Sequence, residues 1–382
     1  MNWIVKRIKG DMVVWGIILI LSLMSVLAIY SSTKSLAYSV RGGNTEYFVL
    51  KHLILMVFGF CIIYFAHKIN FRFYSGLSKV LLPISVLLLL ATYLWGVERN
   101  DATRWFEIPG TGITFQTSDI AKLALIMFLS RTIAKKQDVI EDLKKGFLPL
   151  MIPILVVCLI IAPSDLSTAS MLFFTSIMLL FIGRAKLQHI GYVIGAGILG
   201  LFLFIAVAKL TGNDMRIDTW ASRFSNYVSS DEDPYQLQQA KIAVARGGMF
   251  GVGPGNSTQR NFLPTAYSDF IFAIIVEEYG LLGAIIIISL YLLLLHRSIR
   301  LILKSPNSFG ALLGVGLSLS LVFQAFLNMG VSVELFPITG LTLPLVSMGG
   351  TSLWFTSFAL GVVLSVSAHS EDVKEEVNTQ IA

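Results

Sequence analysis

Charge is what this sequence has least of. Of its 382 residues, 14% are charged and 55% are hydrophobic, against about 25% charged in ordinary soluble domains. So few polar groups cannot cover a globular surface, which excludes a water-soluble protein and leaves a chain embedded in a membrane. Cysteine is limited to Cys61 and Cys158, both inside apolar runs, where they read as small buried hydrophobes and not as a disulfide. The five histidines are scattered at positions 52, 67, 189, 296 and 369; no pair stands at ligand spacing, which argues against zinc. A net charge of +6 would suit nucleic acid, but most basic residues sit beside the apolar runs. The partner they indicate is membrane lipid, with no nucleic acid.

What the sequence does have is long apolar runs, near 12–30, 48–66, 78–95, 118–133, 147–162, 165–183, 190–209, 268–295, 309–329 and 342–368. A spanning helix needs about 20 apolar residues, so these predict an all-α polytopic membrane protein of ten transmembrane helices, with 1–382 as a single membrane domain. The first run follows Lys6, Arg7 and Lys9 without a small-residue cleavage site and reads as an uncleaved signal-anchor. Basic residues such as Lys135, Lys136, Lys144, Lys145, Arg297, Arg300 and Lys304 then fall on the inner side, as the positive-inside rule requires. Both termini are expected in the cytoplasm, 369–382 forming a short tail. The outer side is expected to carry two informative loops: 96–117, and a large extracytoplasmic loop, 210–267, between helices seven and eight. The second ends in a glycine-rich run from Arg246 to Asn256, and loops of that length are commonly functional.

Ionisable residues within such runs are functional candidates by default. Asp119, Asp165 and Asp269 each follow a serine and each stand at the expected outer start of a descending helix. Capping and the helix dipole explain any one of them. The functional case is convergence: helices four, six, eight and ten all begin at the outer face, and helix N-termini favour anions such as phosphate. Lys122 lies three residues after Asp119 on the same helical face, placed equally well to neutralise a phosphate or to pair with Asp119. Glu277 and Glu278 fall about 12 Å deeper than Asp269 on a continuous helix, with Glu277 nearer the Asp269 face and Glu278 opposite; structural pairing suits both. Arg104 and Arg246 are outer-loop candidates for an anionic headgroup, with solvation or lipid phosphate as the plain alternative. Gly251-Val252-Gly253-Pro254-Gly255 looks like a phosphate-cradling loop, but close-packed or re-entrant backbone is the better reading. Gln324 and Asn328, one turn apart, either line a polar cavity or bond between helices.

Several segments together resemble a known family. They are Arg104-Trp105, Gln116-Thr117-Ser118-Asp119-Ile120-Ala121-Lys122, Asp165-Leu166-Ser167-Thr168-Ala169, Gly251 to Gln259, Phe262-Leu263-Pro264, Ser268 to Ala273, Glu277-Glu278-Tyr279-Gly280 and Pro337 to Ser352. In this order they resemble the SEDS family (shape, elongation, division and sporulation), and the Gly-Asn-Ser-x-Gln and Gly-Leu-Thr-Leu-Pro forms are more similar to its FtsW branch than to its RodA branch. Departures include Asp119 where the family usually has glutamate, Ser167 for glycine and Met348 for tyrosine.

The resemblance implies a peptidoglycan glycosyltransferase that polymerises lipid II into glycan strands at the outer face of the bacterial cytoplasmic membrane, at the division septum. It implies work with a class B penicillin-binding protein and other divisome membrane proteins, and it places the catalytic carboxylate at Asp269. Substrate contacts would fall to Lys122, Asp119, Asp165, Arg104 and Arg246. The metal question stays open: a divalent cation, Mg or Mn, held by carboxylates and substrate phosphates leaves little sequence signature. Two other function classes share the residues: a lipid II flippase or transporter using buried carboxylates, and a non-enzymatic divisome scaffold. Liposomes separate the first, since a flippase moves lipid II without forming polymer, and a scaffold would have no activity in isolation.

Overall fold

The structure, a computed structural model, describes residues 9–99, 102–107, 114–197, 234–304 and 307–381. It is a helix bundle: α1 Met12–Ser32, α2 Lys34–Arg41, α3 Thr45–Lys68, α4 Phe71–Trp95, α5 Thr117–Lys135, α6 Leu148–Ile161 after a π-helical turn at Leu143–Phe147, and α7 Leu166–Ile182. After these come α8 Tyr235–Gly247, α9 Ile271–Lys304, α10 Ser308–Ser332 and α11 Ser352–Ile381. A further stretch, 187–197, is helical. Among the described residues seven segments are long and apolar enough to cross a membrane. The shorter α7 is also apolar, and α5 carries its charges at its two ends. Of the ten expected runs, the seventh, 190–209, lies largely outside the described residues. The expected tail after 369 continues α11.

Local chemistry explains the helix starts. Asp11, Asn44, Asn70, Asp165 and Asn307 each accept a backbone N–H of the following turn, satisfying donors that a helix leaves open. The helices α1, α3 and α4 expose leucine, isoleucine and phenylalanine on their outer faces, as a lipid-facing surface does. The middle of the bundle is α10, packed by α5, α7, α9 and α11. It can be surrounded because Gly314, Gly316, Ser318 and Ala325 are small; a Cβ on Gly316 would stand 2.9 Å from Ile126 Cγ2.

Three features depart from the sequence expectation. The 96–117 segment, expected as loop in an all-α chain, carries a small antiparallel sheet in the order β1-β2-β3, of Val97–Arg99, Ala102–Glu107 and Thr114–Gln116, with Val97 and Gln116 both opposite Trp105. The tenth run does not begin as helix at 342: residues 337–351 form irregular backbone folded into the bundle, and α11 starts at Ser352. Pro337, Gly340, Pro344, Gly349 and Gly350 stop helix formation there. The third is in α9, which starts at Ile271 and breaks at Gly280 (φ 66°, ψ −163°).

The 247–253 backbone lies in that break. Val252 and Gly253 donate to the carbonyls of Glu277 and Glu278 at 2.9 and 3.0 Å, and Leu281 donates to Gly248 at 2.9 Å. Because the chain wraps Ser257 and Thr258 around this point, Glu277 and Glu278 do not face opposite ways. Glu277 accepts from the Ser257 hydroxyl and from the Thr258 amide (3.1 Å), while Glu278 accepts from the Ser31 hydroxyl and the Ser257 amide. Both thereby hold the 257–259 backbone. The glycine run is thus close-packed backbone.

Gly251 and Gly255 both have positive φ, but a Cβ on Gly251 would lie 2.1 Å from the Glu278 carbonyl, whereas one on Gly255 meets nothing. Gly255→Ala should therefore cost only the left-handed backbone penalty, about 1–2 kcal/mol, while Gly251→Ala adds a backbone clash and should cost on the order of 4 kcal/mol or more. Thermal unfolding of the two purified variants checks the difference.

Candidate functional site

Asp269 lies two residues before α9, in an irregular segment, so helix formation does not hold it. Instead its neighbourhood is pinned carbonyl by carbonyl. The Tyr267 carbonyl accepts from the Met348 amide at 2.9 Å, that of Ser268 from the Ser347 hydroxyl at 2.6 Å, and that of Asp269 from Asn328 Nδ2 at 2.8 Å. The Asp269 side chain accepts from the Ser268 hydroxyl at 2.8 Å. Gly340, at φ +70°, faces Asp269 Oδ2; a Cβ there would stand 3.8 Å away. The carboxyl is half-buried, and its pKa is raised above the ordinary value. Desolvation is the main cause and the charge of Asp165 adds to it, while the Ser268 hydrogen bond and the Arg104 charge pull the other way.

Arg104 projects from β2. Its Nη1 lies 3.2 Å from Asp165 Oδ2, and its Nε donates to the Ser164 carbonyl at 2.8 Å. Asp165 is the N-cap of α7, its Oδ1 accepting from the Thr168 amide at 3.0 Å, so the expected capping role is real but uses only one oxygen. Arg104, Asp165, Ser118 and Thr92 line a cleft of about 330 Å³ between α4, α5 and α6. On the other side of α5, Lys122 Nζ meets Asp119 Oδ1 and Gln324 Oε1, both at 2.9 Å. Asp119 Oδ2 is buried and has no partner among the described residues. This trio borders a second cleft, of about 340 Å³, lined also by Ser320, Ser352 and Thr356.

The structure thus brings five of the six candidates into one region: Asp269, Arg104 and Asp165 couple electrostatically, and Asp119 and Lys122 join them through Gln324, which donates to the Thr342 carbonyl at 2.8 Å. Arg246 is placed otherwise. It donates to the Thr258 hydroxyl and stands 4.0 Å from Glu277 Oε1, so its position serves the glycine loop. Sequence reasoning missed the re-entrant residues Gly340, Thr342 and Ser347; the proline and glycine density of 337–350 was the signal. Among the described residues no three of His, Cys, Asp and Glu converge as metal ligands.

The fold and site define a multi-pass helical membrane protein with a desolvated carboxylate set among cations at one end of its bundle. The profile of the FtsW/RodA/SpoVE cell cycle proteins matches residues 11–372, and the chain belongs to that family. It is 32% identical over 373 residues to stage V sporulation protein E of Bacillus subtilis strain 168, covering 96% of this chain and 99% of the relative. It is 31% identical over 371 residues to the probable peptidoglycan glycosyltransferase FtsW of Geobacter sp. strain M18, covering 95% and 98%. Among solved structures, it is similar to a chain from a peptidoglycan synthase complex that coordinates polymerization and crosslinking (TM-score 0.74, 25% identity, 94% and 98% covered). It is also similar to the rod shape determining protein RodA of Thermus thermophilus (TM-score 0.65, 25% identity, 94% and 96% covered).

The Lys122–Asp119 pair is buried, the two side chains being 12% and 5% exposed. Removing one partner of such a pair leaves an uncompensated charge. Lys122→Met should therefore destabilise the protein by about 3–5 kcal/mol, and Lys122→Met with Asp119→Leu should recover most of that. Thermal unfolding of the single and double variants measures the recovery.

Proposed function

We propose that this chain is a peptidoglycan glycosyltransferase, polymerising lipid II into β-1,4-linked glycan strands at the outer face of the bacterial cytoplasmic membrane, for septal wall synthesis in cell division. The observation that carries the proposal is the half-buried Asp269 carboxylate, raised in pKa and acted on by the Arg104 charge; the Asp269 peptide is tied through Asn328, the Leu341–Thr342 backbone and Gln324 to Lys122. The name of the Geobacter relative and the complex that holds the similar solved chain support the same activity.

A lipid-linked sugar diphosphate needs an apolar surface for its tail, positive charge for its diphosphate and a base for the incoming hydroxyl. The leucine-rich faces of α3 and α4 meet lipid, and Arg104 and Lys122 supply positive charge. Asp269 accepts the proton from the 4-hydroxyl of the acceptor N-acetylglucosamine as that oxygen attacks the anomeric carbon of the donor N-acetylmuramic acid. The bond from that carbon to the diphosphate oxygen breaks, the undecaprenyl diphosphate departs with its electron pair, and an α-linked donor becomes a β-linked product. Charge developing on the leaving diphosphate is offset by Lys122 and Arg104, placed before the reaction and needing no reorganisation. Asp119 and Asp165 orient these two cations through their ion pairs. The basic residues Lys135, Lys136, Arg297 and Arg300 at the opposite helix ends support an extracytoplasmic position for the Asp269 end of the bundle. A class B penicillin-binding protein that cross-links the strands is the expected partner, with other divisome proteins around it.

In purified protein, Asp269→Asn should lower polymerisation by about 10²–10⁴-fold without loss of folded protein, measured by electrophoresis of glycan products from lipid II. Near-normal polymer would remove Asp269 from the mechanism, and transfer of lipid II between liposome leaflets without polymer would favour a flippase. Asp269 works ionised, so the wild-type rate should fall with decreasing pH through a midpoint above the ordinary carboxylate range, because burial raises its pKa. A midpoint in the ordinary range would count against it.

A further inference from the structure

We propose that Gln324 and Asn328 are positioning residues that set the separation between the Lys122 ammonium and the Asp269 carboxylate, an inference that rests on the role assigned to Asp269 above. The two carboxamides stand four residues apart on α10, hence on one face, and are 4% and 1% exposed. Gln324 accepts from Lys122 Nζ at 2.9 Å and donates to the Thr342 carbonyl at 2.8 Å. Asn328 uses both amide hydrogens, one on the Leu341 carbonyl at 2.7 Å and one on the Asp269 carbonyl at 2.8 Å. Leu341 and Thr342 are consecutive. A single stiff helix and a single pair of peptides therefore connect the cation to the carboxylate, although neither Asp269 nor residues 337–351 belong to a helix that would otherwise hold them.

The side-chain chemistry fits this task. A carboxamide can donate and accept at once without adding charge, which lets Gln324 accept a hydrogen bond from a lysine and donate one to a carbonyl beside two charged groups. Asn328 also keeps a buried Oδ1 with no partner among the described residues, a group that destabilises by about 1–3 kcal/mol when left unsatisfied. Stability alone does not favour such a residue. What it supplies is a double donor at the one point where the Asp269 peptide meets the re-entrant segment.

The test compares Asn328→Leu, Gln324→Met, their double variant and Asp269→Asn as purified full-length chains with the cognate transpeptidase present, assayed for lipid II polymerisation. Misplacement of reacting groups by about 1 Å can reduce rate by about 100-fold, so each single carboxamide variant should lose about 10- to 100-fold in kcat with KM changed by less than about threefold. The double variant should lose less than the product of the single losses, because both side chains hold the Leu341–Thr342 stretch.

In Asn328→Leu, water should reach a loosened Asp269 and move the acid limb of the rate profile to lower pH, with Arg104 from β2, Asp165 at α7 and Tyr267 on its own segment still facing it. A merely structural role would reduce the yield of folded protein and leave kcat and the acid limb of the folded fraction unchanged. If both single variants keep kcat within about twofold while Asp269→Asn is inactive, the positioning role is wrong and the base stands. An active Asp269→Asn removes the base and this inference with it. Should Asn328→Leu fail to fold, Gln324→Met, which does not touch the Asp269 peptide, decides the matter by the same kcat and KM criterion.

Discussion

Irregular backbone inside a helix bundle must find partners for its amide and carbonyl groups, and the rest of this structure depends on how that demand is met. Segments 247–260 and 337–351 enter the bundle in this way. The first is held by the buried carboxylates of Glu277 and Glu278 and by the open carbonyls at the Gly280 break. The second is held by four side chains from three helices: Ser25 on the Val346 carbonyl at 2.7 Å, Tyr291 on Pro344 at 2.5 Å, Gln324 on Thr342 and Asn328 on Leu341. Non-helical backbone is tolerated in such surroundings only when protein or water satisfies it.

That constraint has a consequence for chemistry. Asp269 sits where the 337–351 segment meets α10 and the approach to α9, so its peptide is free of helical geometry yet immobilised by three successive carbonyl contacts. A carboxylate at the start of a regular helix would be drawn into capping, as Asp165 partly is. Asp269 instead accepts only a neighbouring hydroxyl within the described residues, which leaves its second oxygen beside Gly340. Burial raises its affinity for a proton, and Arg104 and Lys122 keep positive charge within the same region without quenching it through a direct ion pair.

Much of this was legible in the sequence because it follows from local composition. Apolar runs separated by charge predicted the helices, and each of the ten runs bears helix among its described residues, the seventh only over 190–197. The order of motifs from Arg104 to Ser352 identified the family, and profile and relatives bear that out. The pairing of Lys122 with Asp119 was one of two readings of a three-residue spacing, and the structure has it. The irregular segment at 337–351 was hidden inside an apolar run: hydropathy measures transfer to lipid and is blind to whether backbone is helical. The position of Arg246 beside Glu277 could not be read from spacing, because the two are 31 residues apart and come together only where the 247–260 segment packs against α9.

Membrane residence, the helical character of the chain and the family were determined by the amino-acid sequence alone, since each depends on what residues are and on their order. Which charges share a site was decided only by tertiary structure. Asp269, Arg104, Asp165, Lys122, Gln324 and Asn328 come from five separate stretches of chain, and the distance between them is set by packing around α10. Electrostatic energy varies inversely with separation, so a chemistry that depends on those distances cannot be read from spacing along the chain.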